Sequence, residues 1–162
     1  MVLGSGRISL RAPILASILV VALSSQARAQ SAVGFTGGGS IDPEQVFVGV
    51  FWQSADIGGR FRIRPGIDGG FGDGLRLATI NVDFVYLVPL GQGPWKFVTG
   101  GGPTIVLRRF ADDQFDTGTE VTAGGSYLLG FSHDNGFFAE FRLGGGNVPQ
   151  LKFGAGWALK IQ

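Results

Sequence analysis

From residue 31 onward, apolar and polar side chains alternate with a period of two, and clusters of Gly, Pro, Asn and Asp interrupt the alternation. This is the pattern of an all-β chain built from strands joined by turns. Eight runs are predicted: Ser31–Gly39, Gln45–Ser54, Gly59–Gly70, Leu75–Val88, Trp95–Arg108, Thr117–Phe131, Gly136–Gly145 and Gln150–Ile161. The segments between them are short, so neighbouring strands are expected to be antiparallel and hairpin-linked. An even number of strands in an up-and-down order can close on itself and remove its edges.

The fourth run shows the two faces most clearly. Ile80, Val82, Phe84, Tyr86 and Val88 share one face, and Thr79, Asn81 and Asp83 share the other. The seventh sets Phe137, Ala139, Phe141 and Leu143 against Glu140 and Arg142. The eighth sets Leu151, Phe153, Ala155, Trp157, Leu159 and Ile161 against Lys152, Gly154, Gly156, Ala158 and Lys160. The second run is apolar on both sides. In the third, "GGRFRIRPGIDGG" (58–70), arginines occupy alternate positions 60, 62 and 64.

Such alternation fits either a soluble sheet with its apolar face inward or a membrane barrel with its apolar face outward. Several runs reach or exceed the 9–11 residues that a tilted β-span needs. The polar face mixes charges with Gly, Ala, Ser and Thr, which suits a narrow lumen. Aromatics recur near strand ends at Trp52, Tyr86, Trp95, Phe110, Phe131, Phe137 and Trp157, as in the girdles of membrane barrels. A charge facing lipid at the mid-plane costs about 2–4 kcal/mol, so the charges are expected inside. The predicted lumen network is Arg60, Arg62, Arg64, Asp68, Asp83, Glu120, Glu140, Arg142, Lys152 and Lys160. A bulge is predicted at Pro65 and at Pro103, because proline removes a ladder bond.

The first 29 residues change the picture of compartment and charge. Arg7 and Arg11 precede an apolar run from Pro13 to Leu23, and Ala27-Arg28-Ala29 gives a small-residue cleavage site. This is the layout of a secretory signal peptide, so 1–29 is assigned as signal peptide and 30–162 as one barrel domain. Removing Arg7, Arg11 and Arg28 takes the 13 basic residues to 10, against 12 acidic ones. A net charge of −2 gives no support to nucleic-acid binding. With no cysteine, disulfides and thiolate metal sites are excluded.

With these residues assembled, the chain resembles the small outer-membrane β-barrel proteins of Gram-negative-type bacteria, the OmpA/OmpX-like barrel-domain families, as an uncharacterised subgroup. The segment "KFGAGWAL" (152–159) is similar to their assembly signal, carried here by Lys152, Gly154, Trp157 and Leu159. The chain ends "KIQ" where many members end on Phe or Trp, with Ile161 keeping the alternation. The resemblance implies an eight-stranded antiparallel transmembrane barrel in the outer membrane, with termini on the periplasmic side. It also implies outer-membrane lipid, lipopolysaccharide and the assembly machinery as partners of a monomer.

No cofactor or metal is expected. Asp112, Asp113 and Asp116 cluster in the loop 109–116 and read as a solvated loop rather than a calcium site. Some barrels of this type are lipid A deacylases that pair a His with a Ser two residues on. Here His133 is followed by Asn135 at that place, so the nucleophile is missing and no catalysis is expected. Eight strands enclose an interior that side chains just fill, which favours a structural, envelope-associated role with a charged, filled lumen. Two alternatives remain at this point: a narrow pore for small solutes, and a soluble periplasmic barrel in which Phe84, Phe141 and Trp157 line a pocket for an apolar ligand.

Overall fold

The alternating runs become eight strands: β1 (Ser31–Ile41), β2 (Gln45–Gln53), β3 (Phe61–Gly72), β4 (Leu75–Pro89), β5 (Trp95–Phe110), β6 (Glu120–His133), β7 (Phe137–Gly146) and β8 (Leu151–Ile161). The computed structural model describes residues 30–72, 75–110 and 119–161. The proposed signal peptide, the aspartates of the 109–116 loop and the side chain of Phe110 lie outside the described residues.

Each strand pairs antiparallel with its sequence neighbours, and β1 pairs with β8 from Ser31↔Ile161 to Ile41↔Leu151. The sheet is therefore a closed barrel without a free edge, the arrangement that leaves no unpaired backbone template. The first and last described residues, Gln30 and Ile161, lie at one end of the barrel, called here the termini end.

The side chains divide as the alternation predicts. Phe84, Phe141 and Trp157 point outward, with 58%, 52% and 45% of their surface exposed. This overturns the inverted arrangement in which those three line an internal pocket. In β2 the doubly apolar run splits: Val46, Val48, Val50 and Trp52 face outward, whereas Phe47 and Phe51 are buried in the lumen. The lumen is layered along β4. Leu77 packs with Val106 and Val148 at the end opposite the termini. Thr79, Asn81 and Asp83 follow, all buried, and then Val85 and Leu87 with Val98 and Leu128 toward the termini end. Val148 reaches this core from the β7–β8 connection.

Two backbone expectations need correction. No bulge forms at either proline. The β3·β4 register runs unbroken through Pro65↔Val82. Past the last β2·β3 rung, Phe51↔Gly66, the chains rejoin in the same register, with Ser54 N donating to Ile63 O at 2.9 Å. Pro65 thus sits where this ladder lapses, so its missing N–H leaves a gap rather than a shift. The β4·β5 register is likewise the same on both sides of a gap opposite Pro103, at Asn81↔Thr104 and Phe84↔Gly101. Arg60 also lies outside the strand: its φ of 105° follows Gly58 and Gly59 at 64° and 81°. The turn breaks the two-residue period there, so Arg60 does not share a face with Arg62 and Arg64.

Close packing between neighbouring strands inside the lumen depends on small residues, as at Gly34, the register partner of Phe51. A Cβ on Gly34 would lie 2.1 Å from Cζ of Phe51. Gly34→Ala is therefore expected to displace the Phe51 ring and to destabilise the barrel by about 1–3 kcal/mol, the usual cost of overpacking. A lowered urea midpoint for the folded protein in lipid or detergent would measure it.

Candidate functional site

The lumen is the candidate site, and its strongest feature is a cluster of six charges. Three cations, Arg64, Arg142 and Lys152, meet three carboxylates, Asp68, Asp83 and Glu140. None of the six side chains is more than 13% exposed. Arg142 donates two parallel bonds to Asp83, Nη1 to Oδ1 and Nη2 to Oδ2, each 2.8 Å. Such a bidentate pair gives geometric specificity as well as strength. Arg64 pairs with Glu140, and Lys152 with Asp68. Glu140 also lies 4.0 Å from Arg142, linking two of the pairs.

Neutral groups complete the network. Asn81 Nδ2 donates to Asp68 Oδ2 at 3.2 Å and its Oδ1 accepts from Thr104 at 2.9 Å. Ser126 Oγ accepts from Arg142 Nη1 at 2.9 Å. The cations also stand over rings: Arg64 is 4.2 Å from the Phe51 centroid and 5.9 Å from that of Phe138, and Lys152 is 4.2 Å from that of Phe47. A ring face attracts a desolvated cation, which explains why phenylalanines accompany charges inside the barrel.

The remaining predicted members sit elsewhere. Arg62 points inward near the termini end, where it pairs with Asp56. Arg60 is exposed on the preceding turn. Glu120 is exposed at the far end of β6, opposite Arg108 in the register. Lys160 lines the termini-end cavity. The difference is one of position along each strand: alternation assigns a face, whereas depth follows from the stagger between strands. Asn81, Thr104 and Ser126 were not predicted as network members, although their places on polar faces were the available signal. Phe47, Phe51 and Phe138 gave no signal of their own.

Of the predicted assembly-signal residues, Lys152 is engaged with Asp68 and Gly154 faces inward, whereas Trp157 and Leu159 are exposed on the outside. Outward-facing Trp52, Tyr86, Trp95, Phe131, Phe137 and Trp157 gather toward the termini end of their strands. Phe137 and Trp157 meet edge to face at 6.0 Å.

At the termini end the lumen opens into a vestibule of about 290 Å³. Arg64, Glu140, Phe51, Leu87, Val98 and Phe138 are among its lining residues. Two further cavities, beside the network, hold only about 10 and 20 Å³. Each has room for one water molecule at most. The charges and the apolar layers thus interrupt the passage.

The vestibule mouth carries the β6–β7 turn. Asn135 N donates to His133 Nδ1 at 3.1 Å, and His133 stands edge-on to Trp95. Lys96 hydrogen-bonds Asp134 and holds its carboxyl below the usual carboxylate range, against the opposing effect of burial. The lowered value means that this contact contributes above the ordinary carboxylate pKa and is lost as pH falls through the folded value. In Lys96→Ala, Asp134 is expected to titrate at a higher pH than in the parent chain, as carboxyl-detected NMR would show.

A scan of the sequence against protein-family models finds no match, and a search of curated proteins finds none either. Solved structures do match. The chain is similar to the N-terminal β-barrel domain of Pseudomonas aeruginosa OprF, at 11% identity and TM-score 0.64, covering 84% of this chain and 100% of that one. It is also similar to Neisserial surface protein A, at 15% identity and TM-score 0.60, covering 82% and 96%. At these identities the likeness is one of fold, that of a closed antiparallel β-barrel.

Proposed function

We propose that the chain is an integral β-barrel of a bacterial outer membrane, with a structural, envelope-associated role and no catalytic step. One observation carries this reading. Among the described residues, the outward faces of all eight strands bear no charge except Arg76 and Arg109, cross-strand partners at the end opposite the termini. Inside, three buried cations are matched by three carboxylates. Water favours the opposite arrangement, and lipid requires this one, because a charge at mid-bilayer costs about 2–4 kcal/mol. The strands are 9 to 16 residues long, enough for a tilted span. The aromatics at the termini end match one interfacial girdle.

The proposed surroundings are outer-membrane lipid and lipopolysaccharide, with a monomeric barrel whose last strand is read by the assembly machinery before closure. The blocked lumen favours a scaffold over a pore, so no sustained single-channel conductance is expected in planar bilayers. The principal test is cell fractionation combined with gel mobility of unheated and boiled protein. Outer-membrane recovery and a heat-dependent mobility shift are expected; a chain that remains in the soluble periplasmic fraction without detergent would overturn the proposal.

A further inference from the structure

The vestibule has a built floor and an unbalanced charge. Arg64, 5% exposed, gives one N–H to Glu140 and is held over Phe51. Its other guanidinium N–H groups have no acceptor among the described residues. Around it, Lys96 is paired with Asp134, and Arg62 with Asp56 at the rim. Lys160, inward-facing at the end of β8, also lines the cavity; the acid whose charge reaches it is Asp134, which Lys96 already holds. Four cations, Arg64, Lys96, Arg62 and Lys160, therefore face three carboxylates, Glu140, Asp134 and Asp56. Leu87, Val98 and Phe138 supply an apolar wall.

We propose that this vestibule binds a small monoanion: a carboxylate on a planar or short apolar body. The carboxylate accepts from the unpartnered N–H groups of Arg64, whose planar fork suits two carboxylate oxygens. The body lies against Leu87, Val98 and Phe138, and Lys160 neutralises the charge from the rim. The volume of about 290 Å³ is ample, since an apolar cavity of about 150 Å³ accepts benzene. A second negative charge would be opposed by Glu140 and Asp134, which also line the space. The site depends on the barrel and its lumen, not on membrane placement.

The test uses the folded protein in neutral detergent micelles, with 4-fluorobenzoate observed by ¹⁹F NMR and 4-fluorobenzamide as the uncharged probe of micelle partitioning. Saturable binding of the carboxylate, displaced by unlabelled benzoate and absent for the amide, is expected. Ala158→Phe, which fills the vestibule, should abolish it. Lys160→Gln should weaken it about 2–5-fold, the range for an exposed charge pair. The heat-dependent gel shift reports that each variant is folded. Equal behaviour of the two probes, no saturable binding, or parental affinity in a folded variant would overturn the proposal. The fractionation experiment is unaffected by that failure, so the two conclusions fall separately.

Discussion

Asp83→Leu is expected to destabilise the barrel by about 3–5 kcal/mol, because it strands the Arg142 guanidinium in the lumen without its bidentate partner. Asp83 is 1% exposed and accepts both of its bonds from that one residue. The cost comes from the orphaned charge rather than from the lost bond. The double variant Asp83→Leu/Arg142→Met should therefore recover most of the loss, since replacing a buried ion pair with apolar groups of similar volume is often neutral or better. Urea unfolding in lipid vesicles, followed by tryptophan fluorescence, gives both numbers. A single variant that unfolds at the parental midpoint would show that water or another group replaces Asp83.

Phe84→Arg is expected to cost about 2–4 kcal/mol in a bilayer, and Ile161→Arg about 0–1 kcal/mol, because a lipid-facing cation is penalised according to its depth. Phe84 projects outward near the middle of β4, whereas Ile161 is the last residue of β8. Their exposures, 58% and 42%, are similar. In water, two such surface substitutions would each stay within about 0.5 kcal/mol. The difference between the two sites, measured by urea unfolding from vesicles, thus reports the membrane itself. Equal small effects would return the barrel to solution.

The strands were legible because each face has a single kind of neighbour. Ile80, Val82 and Phe84 all look outward, and Asn81 and Asp83 all look inward. A period-two signal survives wherever that holds. It fails at Arg60, where two left-handed glycines and a positive φ take the chain out of the extended form. It is uninformative in β2, where the lumen itself is apolar at Phe47 and Phe51 because cations rest on those rings. The pairing of charges was not legible. Arg64 faces Asp83 across the β3·β4 ladder, yet it bonds Glu140 on the far wall. Which residues meet across a lumen depends on strand stagger and tilt, and neither leaves a local trace. The prolines show a related limit: the lost donor was legible, but not that a lapse in pairing would absorb it without a bulge.

The charge pairs also bear on the order of assembly. They join β3 and β4 to β7 and β8, over separations of 76, 59 and 84 residues. None of the three can form within either half of the chain. The six charges stay unmatched until β3 and β4 are brought opposite β7 and β8, so charge pairing waits for the sheet to curl. Contacts so distant in sequence make folding slow.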